Sequence, residues 1–166
     1  MTELRTNRRQ VLKRAGVLGA TAALLSPSAA LAQNTSATEG PEGSWLATLT
    51  VAGGPPPFKV LITFDAGGGL VESEQGDEAP GSPPTLFSPG HGAWISTGSK
   101  GITFSFIKLL YDTSGGFIGL LKNNGTAQLG GDTLAGSGTV VITENGKVTF
   151  SGTYTFSATR IQVEGI

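Results

Sequence analysis

Between Lys147 and Arg160 the side chains alternate with a period of two. Val148, Phe150, Gly152, Tyr154, Phe156 and Ala158 fall on one side, and Thr149, Ser151, Thr153, Thr155, Ser157 and Thr159 on the other. Successive side chains of an extended strand point to opposite faces, so this stretch reads as a strand with one apolar and one wet face. Shorter runs of the same kind follow one another from Gly43 onward, and none keeps a 3.6-residue period. Predicted strands cover 43–52, 57–65, 69–76, 91–97, 101–111, 117–129, 133–143 and 147–161. The connections carry turn chemistry: GGPP at 53–56, DAGGG at 65–69, TGSKG at 97–101, DTSGG at 112–116, GGD at 130–132 and ENG at 144–146. Glycine and asparagine tolerate the positive φ that tight turns require. Connections this short favour antiparallel neighbours.

Eight strands joined by hairpins predict an all-β fold, an eight-stranded antiparallel up-and-down β-barrel. Closing the sheet on itself removes the exposed edges that invite aggregation. A two-sheet sandwich is the alternative. The connection GDEAPGSPPTLFSPG, residues 76–90, is long and proline-rich, and reads either as a mouth loop or as an exposed crossover. Parity assigns the interior: Trp45, Ala47, Leu49 and Val51; Phe58, Val60, Ile62 and Phe64; Ile102, Phe104, Phe106 and Leu110, with Lys108 interrupting; Leu134 to Ile142 at every second residue; Val148, Phe150, Tyr154 and Phe156. The runs 101–111 and 117–129 are apolar on both faces, which predicts cover from the long loop or a homo-oligomer through these fifth and sixth strands.

The first thirty-two residues read as a targeting segment rather than as fold. A basic stretch, TNRRQVLKRAG, precedes a short apolar run and the small-residue sequence Ala30-Leu31-Ala32. Arg8-Arg9 followed by Leu12-Lys13 resembles a twin-arginine export signal, which implies a prokaryotic protein exported in the folded state, secreted or periplasmic. The domain boundaries read as a signal peptide over 1–32, a flexible polar segment over 33–42 and a barrel domain over 43–166. Without residues 1–32 the chain keeps six basic and eleven acidic residues, which argues against nucleic acid or an anionic membrane as partner. The apolar run is too short for a membrane span. With no cysteine in 166 residues, stability must come from ladders and close-packed side chains.

Gly43-Ser44-Trp45 on the first strand, with Arg160 at the end of the last, resembles the lipocalin and calycin signature. That resemblance implies a G-x-W that meets a C-terminal arginine where the barrel closes, the guanidinium lying on the indole. The architecture is also similar to allene-oxide-cyclase-like barrels, which hold an apolar substrate.

A barrel of eight strands is just wide enough to be filled by side chains or to hold one small ligand. Small residues at alternate positions (Ala47, Gly119, Gly136, Gly138, Gly152, Ala158) either leave room inside or relieve crowding where strands bend. The expected ligand is a small hydrophobic molecule, lined by Trp45, Phe58, Ile62, Phe104, Phe106, Phe150, Tyr154 and Phe156. For an enzyme, a cyclase or isomerase, the acid–base candidates are Glu72, Glu74 and His91. The plainer reading of Glu72, Glu74, Asp77 and Glu78 is a solvated acidic edge, and of His91 a loop histidine. A filled barrel serving as a structural or cell-surface module is the third possibility. One histidine and no cysteine offer no usual zinc or haem-thiolate site, so no metal and no cofactor are expected.

Overall fold

The computed structural model describes residues 40–74, 78–79 and 85–162. The export motif and residues 33–39 lie outside the described residues, as do Asp77 and the side chain of Glu78. The described residues contain ten strands: β1 (Gly43–Val51), β2 (Phe58–Phe64), β3 (Gly69–Glu74), β4 (Glu78–Ala79), β5 (Thr85–Phe87), β6 (Gly90–Ser96), β7 (Gly101–Tyr111), β8 (Phe117–Leu129), β9 (Thr133–Glu144) and β10 (Lys147–Arg160). No helix among them is long and apolar enough to cross a membrane.

Eight strands form a closed ring in the order β1–β2–β3–β6–β7–β8–β9–β10. β10 returns to β1 through seven residue pairs, from Trp45↔Arg160 to Val51↔Tyr154. Every pairing is antiparallel, so the fold is the up-and-down barrel and not the sandwich. At the level of fold this closed ring is consistent with a calycin-like barrel.

The long connection differs from the sequence expectation, because it contributes two short strands. β5 pairs with the end of β7 (Leu86↔Tyr111, Phe87↔Leu110), and β6 takes over the same lane at His91↔Ile107. Between them Pro89 has no N–H to give. Ser88 keeps the ladder intact: its N–H donates to the Leu109 carbonyl at 3.0 Å, and its Oγ accepts from the Leu109 N–H at 2.9 Å.

The turns follow from their residues. Asn145 (φ 49°) and Gly146 (φ 77°) make the two-residue turn between Glu144 and Lys147. Asp65 and Asp112 head two turns of the same design. The Asp65 carboxylate accepts from the N–H groups of Gly67 and Gly69, and that of Asp112 from Ser114 and Gly116. Donation from the Ser114 hydroxyl and these amides holds the Asp112 carboxyl below its ordinary pKa.

One end of the barrel is solid. Trp45, Phe64, Leu70, Ile102 and Leu134 meet there, each at most 3% exposed. Arg160 lies over the outside of this plug, its guanidinium 4.2 Å from the centroid of the Trp45 ring. It donates to the carbonyls of Glu42 and Gly40 and pairs with Asp132 at 3.2 Å. The Trp45 indole N–H donates to the Pro41 carbonyl at 2.8 Å. Gly43 has φ 116°, a conformation L side chains rarely adopt, and a Cβ there would stand 3.2 Å from Arg160. The glycine and the tryptophan of the G-x-W thus have separate physical reasons.

The opposite faces of β1 and β10 carry threonine and serine, as the alternation predicts. Val148 departs from it. The register slips between Val148 and Phe150, and Val148 turns outward, 65% exposed. Ile107, Leu109 and Phe117 on β7 and β8 are solvent-exposed in the single chain.

Candidate functional site

The end opposite Arg160, between the β1–β2, β7–β8 and β9–β10 turns, opens into a cavity of about 1110 Å³. Strand parity builds its wall. Leu49 and Val51 come from β1, Phe58, Val60 and Ile62 from β2, Phe104 and Phe106 from β7, Leu121 from β8, Val140 and Ile142 from β9, and Phe150, Tyr154 and Phe156 from β10. Phe104 meets Phe156 edge-on at 5.9 Å between centroids, and Phe64 at 6.1 Å, so the floor of the cavity is an aromatic layer continuous with the plug.

One stretch of this apolar wall is ionic. Lys108 of β7 points inward and is 2% exposed. Its Nζ lies 3.0 Å from Glu72 Oε2 and 3.1 Å from Glu74 Oε1, both on β3. The strand between them, β6, begins with Gly90, and Glu72 Oε2 comes within 2.7 Å of where a Gly90 Cβ would stand. A side chain on Gly90 would separate the charges. Taking an ammonium out of water costs several kcal/mol, and here two carboxylates compensate it. Phe87 of β5 covers the ammonium from 5.7 Å.

A second polar pair faces the same cavity. The Tyr154 hydroxyl donates to Asn123 Oδ1 at 2.6 Å, with both residues at most 5% exposed. Burial pushes the Tyr154 phenol far above its ordinary value of 10.0, and the negative charge of Glu72 adds to this. The neutral phenol is therefore the form at physiological pH.

The inward glycines do not simply leave space. The Tyr154 ring lies where a Gly138 side chain would be, Phe156 over Gly136, Phe150 over Gly152, and Phe106 over Gly90, while at Gly92 a Cβ would meet the Ser105 carbonyl and the Phe106 backbone. A Cβ at Gly119, Gly136 or Gly138 would also strike a backbone carbonyl of the neighbouring strand. At Gly119, Gly136 and Gly138 the neighbouring backbone comes too close for a side chain, and at Gly136, Gly138 and Gly152 aromatic rings take up the space.

Seven of the eight predicted lining residues face the cavity: Phe58, Ile62, Phe104, Phe106, Phe150, Tyr154 and Phe156. Trp45 does not; it is fully buried in the plug at the closed end. Glu72 and Glu74 face the cavity, so reading them as a solvated edge is incorrect: Glu72 is 2% and Glu74 16% exposed. His91 is not brought to them. It lies exposed on the outer face of β6, paired with Val71 and Ile107. Lys108 and Asn123 are the functional candidates that the sequence reading missed. Lys108 shares its face with Phe104 and Phe106, so parity alone placed a cation inside and called for buried acids to meet it.

A second concavity, of about 910 Å³, lies on the outer wall across β7, β8, β9 and β10. Ser105, Thr126, Thr139 and Thr155 line it, and among the described residues no charged side chain does. Among the described residues no group of three or more potential metal ligands occurs. Comparison with protein-family models, with curated proteins and with solved structures gives no match.

Proposed function

We propose that this chain is an exported binding protein that holds a small hydrophobic molecule in the barrel interior. The observation that carries this reading is the cavity of about 1110 Å³ at one end of the barrel. Its aromatic and aliphatic lining, with a few convergent polar groups, is the usual make-up of a small-molecule site. A ligand hiding about 300 Å² of apolar surface there gains about 7 kcal/mol before the costs of association. A barrel filled with side chains would leave no such space, which weighs against a purely structural module. The export half of the proposal rests on the Arg8-Arg9 motif and the Ala30-Leu31-Ala32 sequence.

The test is native mass spectrometry of the protein purified from its own organism, with Nile red binding as a second measurement. A co-purifying apolar molecule, and dye binding that Ile142→Trp abolishes without loss of fold, support the proposal. No bound molecule and no dye binding would end it.

A second reading, a cyclase or isomerase, draws on Glu72, Glu74, Lys108 and Tyr154 sharing one apolar cavity. A carboxylate in such surroundings can act as an acid–base group. Turnover lost in Glu74→Gln while binding persists distinguishes enzyme from carrier.

A further inference from the structure

Asn123 is 5% exposed and lines the cavity. Its Oδ1 accepts from the Tyr154 hydroxyl at 2.6 Å, while its amide nitrogen makes no hydrogen bond among the described residues. The neutral phenol fixes this orientation: its proton needs an acceptor, so Asn123 turns its oxygen toward Tyr154 and its nitrogen away. Buried amide N–H groups are almost always paired, and leaving one unmade is costly. The pair also lies at the aromatic floor. The Tyr154 hydroxyl and the tip of the Phe104 ring both come within 2.6 Å of where a Gly125 Cβ would stand.

The other donors of the cavity are engaged or lie elsewhere. The phenol gives its only proton to Asn123. The Lys108 ammonium sits between Glu72 and Glu74 with Phe87 over it. Thr85 is on β5, and Thr149 is near the β9–β10 turn at the mouth. Among the described residues, Asn123 is the neutral donor that the floor offers to a guest.

We infer that the ligand is a neutral hydrophobic carbonyl compound that enters carbonyl end first. Its oxygen accepts from the Asn123 amide, and its hydrocarbon body runs along Phe106, Phe58 and Phe150 toward the mouth. This inference rests on the ligand-binding proposal above and names the ligand class. A carbonyl brings an acceptor and no proton, which suits a site whose nearby acceptor, Asn123 Oδ1, already receives the phenol's proton. An alcohol would bring a proton of its own, and a hydrocarbon would cover the amide without pairing it.

The test uses the full chain at pH 7 with three probes of one shape: 2-acetylnaphthalene, 1-(2-naphthyl)ethanol and 2-isopropenylnaphthalene. In ¹⁵N-labelled wild type, the Asn123 side-chain amide resonances, identified by their proximity to Tyr154, are expected to move with the ketone and stay in place with the hydrocarbon. The ketone should displace Nile red about fivefold better than the alcohol. The double variant Asn123→Leu, Tyr154→Phe removes the donor and leaves neither partner unpaired. It should weaken the ketone relative to the hydrocarbon by about fivefold to tenfold. Amide resonances that respond alike to ketone and hydrocarbon, an alcohol that binds as well as the ketone, or an unchanged ratio in the double variant overturns the carbonyl inference and leaves the binding proposal standing. Failure to bind Nile red or any probe removes both. The wild-type measurements are decisive even where the variant does not fold.

Discussion

The guanidinium of Arg160 and the indole of Trp45 stack across the seam where β10 rejoins β1, as directly paired residues 4.2 Å apart from Cζ to ring centroid. Arg160 also ties the incoming segment down through the carbonyls of Gly40 and Glu42. It therefore joins the first strand, the last strand and the β8–β9 turn, where Asp132 sits. Arg160→Ala is expected to lower stability by about 2–4 kcal/mol, since a stacked cation and several hydrogen bonds go together. Arg160→Lys keeps the charge but not the planar fork, and should recover less than half of this. Urea unfolding measures both; a loss under about 0.5 kcal/mol for the alanine variant would show that the seam does not depend on the arginine.

Lys108 is held by two carboxylates, so its removal leaves them facing each other inside the wall. Lys108→Met alone is expected to cost about 3–5 kcal/mol, the penalty of breaking a buried ion pair from one side. The triple variant Lys108→Met, Glu72→Gln, Glu74→Gln should recover most of that, because no uncompensated charge remains. Equal losses in the single and triple variants, read from denaturant midpoints, would mean that shape rather than charge governs the site.

Tyr154 gives a pH dependence of known sign. Its folded-state pKa lies above the unfolded value of 10.0, so the folded chain keeps its phenolic proton where the unfolded chain loses it. The stabilisation is complete below pH about 10 and declines as pH rises above it toward the folded pKa. Tyr154→Phe should flatten this alkaline limb relative to wild type. At pH 7 the same variant should cost about 1–2 kcal/mol, because Asn123 Oδ1 loses its donor. Identical pH profiles for the two proteins between pH 9 and 11.5 would contradict the buried, neutral phenol.

Two glycines should respond differently to alanine. At Gly138 a Cβ meets the Asn124 carbonyl and the Tyr154 ring, so Gly138→Ala forces the backbone to move and should cost about 2–4 kcal/mol. Adding Tyr154→Phe should not rescue it, since the carbonyl clash remains. At Gly146 the space is open and only φ 77° is at issue, so Gly146→Ala should cost about 1–2 kcal/mol. Thermal unfolding of the three proteins checks the order.

Much of the barrel was legible from residue order. The alternation along 147–161 and its shorter counterparts predicted strands, faces and turns, and Gly43, Trp45 and Arg160 predicted the seam. Two local departures were not: the bulge that turns Val148 outward, and the short strand Thr85–Phe87 inside a proline-rich connection. Both arise from pairing with a neighbour rather than from the segment's own composition. Glu72 was read against its immediate neighbours, the acids at Glu74, Asp77 and Glu78, and so looked solvated. The partner that changes its character, Lys108, is far along the chain and one strand removed in space.

By itself the sequence determined the extended state of each segment and which side of it faces inward, because a two-residue period is a local property of the backbone. Only the tertiary structure decided which inward residues meet. That depends on how far each strand slides against the next before the ring closes. This slide brought Lys108 over Gly90 to the two glutamates, put the Asn123 carbonyl at the Tyr154 hydroxyl, and sent Trp45 to the plug instead of the cavity.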